Sequence, residues 1–335
     1  MIATLEEPRD RAKRALIVGV SGQDGAYLAE LLLGKGYEVH GTSRDAHAAS
    51  FGNLERLGIR ERVRATSMSL NDFRSVLQAL IQVRPDEIYN LAGQTSVALS
   101  FAQPVETMES ISVGTLNLLE AIRFTGRPIR FYNAASSECF GDTDGVAADE
   151  THAFRPRSPY AVAKAAAFWQ LANYREAYAL FACSGILFNH ESPLRPERFV
   201  TKKIVATACR IAKGSKETLR LGNIQIRRDW GWAPEYVEAM WLMLQQDRPD
   251  DYVVATGESH ALEAFVDAAF RCVDLDWRAH VVTDPDLLRP TDIADGRGDP
   301  RKARERLGWS ARSKLGDVVR MMMDAELRTA TPHHG

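Results

Sequence analysis

The sequence predicts an α/β protein: a doubly wound parallel sheet followed by a smaller C-terminal α/β portion. Three observations predict it. Short apolar runs alternate with stretches of helical spacing from Ala15 to Leu187, the rhythm of parallel strands joined by crossover helices. The first run ends in spaced glycines, Gly19, Gly22 and Gly25. After Asn189 the rhythm breaks into shorter elements, with Pro, Gly and Arg in the loops between them.

The elements follow in order. Ala15-Leu16-Ile17-Val18 is apolar throughout, as a strand buried on both faces must be. Gly22 to Leu33 carries Tyr27, Leu28, Leu31 and Leu32 at helical spacing and stops at Gly34. Strands are expected at Tyr37–Thr42, Val63–Thr66, Glu87–Leu91 and Ile129–Asn133, with helices at Asp72–Gln82 and Ile111–Phe124. Ser158 is a good N-cap and Pro159 a good first helical residue, so a helix should run from there to about Tyr178. A strand at Ala182–Leu187 follows. Beyond it, helices are expected at Phe199–Lys213, Pro234–Leu244, Leu262–Val273 and Leu315–Leu327, and short strands near Leu219–Leu221 and Tyr252–Ala255. The expected division is a tail over 1–13, a dinucleotide-binding portion over 14–188, and a mainly substrate-binding portion over 189–330 with segments returning to the first sheet.

Composition narrows the function. With 335 residues, the chain has room for one large domain or one plus a smaller one. A net charge of -2 leaves no footprint for nucleic acid or an anionic membrane. No run is apolar enough to span a bilayer. Met1 to Lys13 carries both signs of charge, lacks a signal-peptide core and reads as a loose tail; Arg328 to Gly335 reads as frayed. Cys139, Cys183, Cys209 and Cys272 are scattered without metal-ligand spacing. They suit reduced thiols in a cytoplasm.

Three motifs carry chemistry. The glycines, placed between a strand and a helix, let backbone approach a pyrophosphate at a helix N-terminus. Some twenty residues on, an acid would favour NAD and an arginine NADP; the chain offers Arg44 and then Asp45. Asn90-Leu91-Ala92-Gly93-Gln94 forms a small polar turn at a later strand end. Ser136 and Glu138 lie two apart after the strand ending at Asn133, so in an extended loop both would face one side. Tyr160 and Lys164 lie four apart, on one face of the helix that Ser158 opens. A phenol titrates near about 10, and a neighbouring ammonium lowers that value and makes it a usable base. Taken alone, Tyr-x-x-x-Lys is a common surface pair. Behind a dinucleotide turn and a Ser/Glu loop it becomes a proton handler.

These motifs resemble the extended short-chain dehydrogenase/reductases, with their Rossmann-type fold. Within that group the chain resembles the GDP-mannose 4,6-dehydratase family. The resemblance runs from Ala15 to Leu327. It is carried by Gly22 to Leu28, Ser158 to Lys164, Gly185 to Pro193, Phe199 to Lys203, Arg228-Asp229-Trp230-Gly231 and Arg289-Pro290. It implies a catalytic set of Ser136, Glu138, Tyr160 and Lys164. It also implies cofactor contacts from Gly19, Ser21, Gly22, Gln23, Asp24 and Gly25, from Arg44 and Asp45, from Leu91, Ala92 and Gly93, and from Tyr160, Lys164, His190 and Arg195. His190 would present backbone to the nicotinamide ribose, and Glu191 would position the loop. Asn189, Lys203, Arg228 and Arg289 would hold the guanosine diphosphate of GDP-mannose or a related GDP-sugar. The implied cofactor is NADP, with NAD open because Asp45 follows Arg44. No metal is implied, and a homodimer or homotetramer is. In the implied reaction Tyr160 takes the C4 hydroxyl proton and Glu138 handles the proton at C5. Alternatives are another GDP-sugar dehydratase, a 4-keto reductase or epimerase on the same scaffold, and a non-catalytic nucleotide-binding protein.

The chain departs from the family pattern in places. Asp45 stands where a second arginine is common, and Ser136 where a threonine is. An acid usual after the third strand, where adenine is bound, is replaced near Ser69. Gly93 and Thr95 replace an alanine and a serine, and Pro196 replaces a glycine.

Overall fold

Residues 11–329 are described in the computed structural model. The apolar runs form β1 (Arg14–Val18), β2 (Glu38–Ser43), β3 (Arg64–Ser67), β4 (Glu87–Asn90), β5 (Arg130–Ser136) and β6 (Ala182–Leu187). With the strand Tyr252–Val254 they make one seven-stranded sheet. Across it the order is Tyr252–Val254, β6, β5, β4, β1, β2, β3, and every pairing is parallel. The chain steps outward from β1 to β3 and then returns to β4 on the other side of β1. A crevice therefore opens beyond the carboxyl ends of β1 and β4, where open α/β sheets place ligands. Val18 pairs with Asn90, so these two strands end level.

Each face of the sheet is covered. Leu28 and Leu32 from helix Gln23–Gly34 share one core with Tyr236 and Met240 from helix Ala233–Met243. On the other face Leu80, Leu118 and Leu171 come from helices Phe73–Val83, Gly114–Thr125 and Pro159–Tyr178. A separate core joins Ile204, Phe265 and Val318 from helices Val200–Ala212, Leu262–Arg271 and Leu315–Thr329. This second core sits beyond the crevice and supplies its far wall.

The structure corrects several expected boundaries. β5 runs on from Asn133 to Ser136, because the small residues Ala134 and Ala135 stay paired with Gly185 and Ile186 of β6. The helix expected from Ile111 begins at Pro104 and passes through a π turn at Glu109–Val113. Short helices at Gly52–Arg56, Val97–Ala102 and Arg301–Leu307 were not expected from the spacing. Arg11 and Lys13 are not loose: Arg11 pairs with Asp86 at 2.8 Å and Lys13 with Glu87 at 3.0 Å. Arg328 is helical, not frayed. The rest of the two expected tails, 1–10 and 330–335, lies outside the described residues. No helix among the described residues is long and apolar enough to cross a membrane.

Candidate active site

A cleft of about 380 Å³ lies over the carboxyl ends of the strands. Asp24 and Leu91 line it, and the glycine turn lies next to them, outside the lining. Gly19 adopts φ +90°, and a side chain there would meet the backbone of Ala92 at 3.0 Å. Gly22 N–H donates to the Gly19 carbonyl at 3.1 Å and closes the turn. A Cβ on Gly25 would overlap that same carbonyl and lie 2.7 Å from Val20 Cα. The following helix has no side-chain cap. Its first N–H groups are free for an outside acceptor. A turn that admits no side chain and ends in free donors fits the pyrophosphate of a dinucleotide. Leu91 N–H donates to Val18 O at 2.9 Å, which seats Leu91, Ala92 and Gly93 beside the turn.

The neighbours of that turn divide. Ser21 is exposed, and its carbonyl accepts from Asn53. Gln23 is buried and Asp24 half-buried; both bond to the His190 segment. Arg44 and Asp45 are exposed at the end of β2. The Asp45 carboxylate accepts from Ala48 N–H and His47 N–H at 3.1 and 2.9 Å, which hold it below the usual carboxylate range. It is engaged within its own loop.

Ser136 is the last residue of β5, and Ser137–Phe140 turns as a 3₁₀ helix. The loop is therefore not extended as expected, and a tight turn brings Glu138 back over Ser136. Ser136 Oγ accepts from Glu138 N–H at 3.3 Å and lines the same cleft as Tyr160. Ser158 Oγ accepts from Ala161 N–H at 3.1 Å, the cap that places Tyr160 at the mouth of its helix. Lys164 Nζ donates to Ala134 O at 2.6 Å and stands 5.9 Å from the Tyr160 ring centroid. Burial pulls the Lys164 ammonium down to about 8. Burial also pushes the Tyr160 phenol up, against smaller opposing pulls from Ser136 and Arg195. The expected lowering of Tyr160 by Lys164 is thus reversed in the chain alone. The ammonium is directed at a main-chain carbonyl, and dehydration outweighs its field.

Glu138 is mostly buried, with 15% of its side chain exposed and Arg228 Nε at 4.0 Å. Burial raises its carboxyl, Arg228 and Arg289 pull it back, and Asp292 raises it again. A carboxyl whose affinity for protons is raised is suited to accepting one.

The far wall is cationic. Buried Arg228 donates to Asp292 Oδ1 at 2.9 Å and to the Ile293 carbonyl at 2.7 Å. Arg289 reaches the same Asp292 oxygen at 3.4 Å. Lys203 Nζ donates to Arg220 O at 2.7 Å, and Arg220 pairs with Asp284 at 2.7 Å. Asn189, Lys203, Arg228 and Arg289 therefore share the cleft with Ser136, Glu138, Tyr160 and Lys164. Arg195 pairs with Glu191 at 3.2 Å and lies over the Phe199 ring. Glu191 is buried and also accepts from Thr201 Oγ1. The His190 carbonyl accepts from Gln23 Nε2 at 3.2 Å, and its ring meets Asp24. No group of three or more His, Cys, Asp or Glu among the described residues could hold a metal.

Sequence reasoning missed Asp292, Arg198, Arg220 and the Asp24–His190 pair, all of which line the cleft or join at its edge. Only Arg220 had a local signal. It is the one polar residue in Leu219-Arg220-Leu221, with buried leucines on either side.

The sequence model of a family described as GDP-mannose 4,6 dehydratase matches residues 16–322. The chain is 48% identical to GDP-mannose 4,6 dehydratase 1 of Arabidopsis thaliana, over 95% of this chain and 91% of that protein. It is 42% identical to the Homo sapiens GDP-mannose 4,6 dehydratase over 95% and 93%. It is 40% identical to the Vibrio cholerae GDP-mannose 4,6-dehydratase over 96% and 95%. Among solved structures, the UDP-glucose 4-epimerase of Thermus thermophilus in complex with NAD superposes with a TM-score of 0.82 at 28% identity, covering 95% of this chain and 100% of that one. RMD from Pseudomonas aeruginosa complexed with NADPH superposes with a TM-score of 0.78 at 21% identity, covering 95% of this chain and 100% of that one, a likeness of fold.

Proposed function

The chain belongs to the GDP-mannose 4,6-dehydratase family, and from that premise we propose how its own residues carry the reaction. It is a hydro-lyase that converts GDP-mannose to GDP-4-keto-6-deoxymannose by oxidation at C4, loss of water across C5 and C6, and reduction at C6. The turn at Gly19, Gly22 and Gly25 and Leu91 to Gly93 would hold a nicotinamide dinucleotide, which would supply reversible two-electron chemistry for both carbons. Tyr160 takes the C4 hydroxyl proton while Ser136 hydrogen-bonds the same oxygen. Lys164 orients Tyr160 from its anchor on Ala134. Glu138 takes the C5 proton and gives one to the hydroxyl leaving C6. Asn189, Lys203, Arg228 and Arg289 hold the GDP end, where forked arginine donors suit a diphosphate.

The observation that carries this reading is the placement of Glu138. A buried carboxyl with a raised pKa sits in the same cleft as the Ser136–Tyr160 pair, within reach of two arginines. A simple redox step needs no such acid. Arg44 favours NADP, because its guanidinium is exposed at the end of β2 while the adjacent Asp45 carboxylate is engaged in its own loop. Residues 14–188 serve the cofactor and 189–330 mainly the substrate. Exposed Val105, Phe124 and Trp169 on neighbouring helices support a homo-oligomer, dimer or tetramer. Free, mostly buried thiols suit the cytoplasm.

The test is mass spectrometry of GDP-mannose incubated with purified protein and no added reductant. A product lighter by one water is expected. Unchanged GDP-mannose, with other GDP-sugars dehydrated in its place, would move the substrate assignment.

A further inference from the structure

The first turn of the cofactor helix carries two polar side chains, buried Gln23 and half-buried Asp24, that both reach the His190 segment. Asp24 Oδ2 lies 2.9 Å from His190 Nε2. His190 Nδ1 lies 2.7 Å from the Phe188 carbonyl. A carbonyl and a carboxylate only accept, so both ring nitrogens of His190 must donate. An imidazole with two N–H groups is an imidazolium. A second observation agrees. The ring stacks on Tyr236 with centroids 4.6 Å apart and planes at 27°, an arrangement that favours a cation on an aromatic face. The charged groups facing it are Asp24, which favours the cation, and Arg195, which opposes it; burial opposes it too. The same partner holds the Asp24 carboxyl at about 2 in spite of burial.

Beside this pair, Gln23 Nε2 donates to the His190 carbonyl at 3.2 Å, and Gln23 Oε1 accepts from Ser192 Oγ at 2.8 Å. Asn189 thus sits at the apex of a pinned tripeptide. The residue before it is held by its carbonyl, the residue after it by ring and carbonyl. Asn189 also lines the cleft.

We propose that Asp24 and His190 form a permanently charged latch that positions Asn189 toward the substrate and ties it to the first turn of the cofactor helix. Asp24 is then a positioning residue that acts through His190 and Asn189. This rests on the proposed role of Asn189 as a substrate contact. The latch matches the Asp24 charge beside the turn proposed to hold the pyrophosphate. It also places a physical link between cofactor side and substrate side in four side chains.

The test has two arms. Ring ¹⁵N NMR of the histidine-labelled holoenzyme, with the signal identified by its contacts to Tyr236, reads the charge directly. Both His190 nitrogens should keep imidazolium shifts at pH 8, where an unshifted imidazole of pKa about 6.5 is neutral. A neutral ring in the wild type overturns the latch, and this arm needs no variant to fold. In the second arm, water loss from GDP-mannose is followed kinetically. Asp24→Asn should raise KM about tenfold with kcat within about threefold, the signature of lost binding alone. Combined with Asn189→Ala it should add little to the KM of Asn189→Ala alone. A fall in kcat at unchanged KM, no change at all, or additive penalties would each overturn the positioning role. A wild type that releases no water from GDP-mannose would instead strike the proposed reaction and leave the charged pair to the NMR result.

Discussion

The two walls of the cleft are built on different principles. On the sheet side, Ser136 and Lys164 are anchored through main-chain groups. Lys164 holds the Ala134 carbonyl, and Ser136 holds the Glu138 amide. On the far side every anchor is a charge meeting a charge or a carbonyl. Arg228 and Arg289 share Asp292, and Arg220 holds Asp284. The first kind of wall suits groups that must change protonation, because burial is the largest influence on the Tyr160 and Lys164 pKa values. The second suits groups that must stay charged while a diphosphate comes and goes. Glu138 stands on the seam, dehydrated like the first wall and pulled by the cations of the second.

The comparison can be broken at several points. Tyr160→Phe has the largest expected effect. It removes the proposed proton acceptor for the first step, so cofactor reduction and water loss should both fall about 10²- to 10⁴-fold. A near-normal rate by coupled absorbance and mass spectrometry would end the claim. Glu138→Gln should separate the steps. Water loss should fall by a similar factor of about 10² or more, while a burst of cofactor reduction by GDP-mannose persists. Equal elimination by variant and wild type would remove its role. Asp292→Asn should cost less. It leaves two arginines short of an anion, so KM for GDP-mannose should rise by about three- to tenfold with little change in kcat; a fall in kcat alone would place Asp292 in the chemistry.

The smallest effect concerns Lys164. Its native value of about 8 lies below the 10.5 of an unperturbed lysine. Between those values the unfolded chain binds a proton that the native chain does not, so stability rises with pH across that window. Urea unfolding of wild type and Lys164→Met at pH values from about 8 to about 9.5 should show the wild type gaining relative to the variant. Parallel pH profiles would mean that burial does not govern Lys164.

The same division explains what could be read in advance. The glycine turn, the Ser158 cap and the Tyr160/Lys164 pair are local: every partner that defines them lies within a few residues, so spacing alone reveals them. The sheet also follows from spacing, because a strand buried on both faces has to be apolar. The seam and the far wall are not local. Arg228 and Asp292 are 64 residues apart, and Asp24 and His190 are 166 apart. Resemblance to a family supplied Arg228 and Arg289 as separate cations, without the acid that joins them. The inversion of the Tyr160 pKa was equally hidden, because adjacency of Tyr160 and Lys164 says nothing about where the ammonium donates. The curl of Ser137–Phe140 was hidden because two residues of separation fit an extended loop and a 3₁₀ turn alike.

The strand Tyr252–Val254 closes the sheet beside β6 only after the chain has traversed most of the far wall. On a ribosome, β6 emerges well before its outer neighbour and presents a row of unpaired amides and carbonyls until residue 254 is made. A chain cut between 188 and 251 would keep that open edge permanently and should self-associate. The two halves of this enzyme cannot be divided at the cleft, since the last strand of the first half is encoded inside the second.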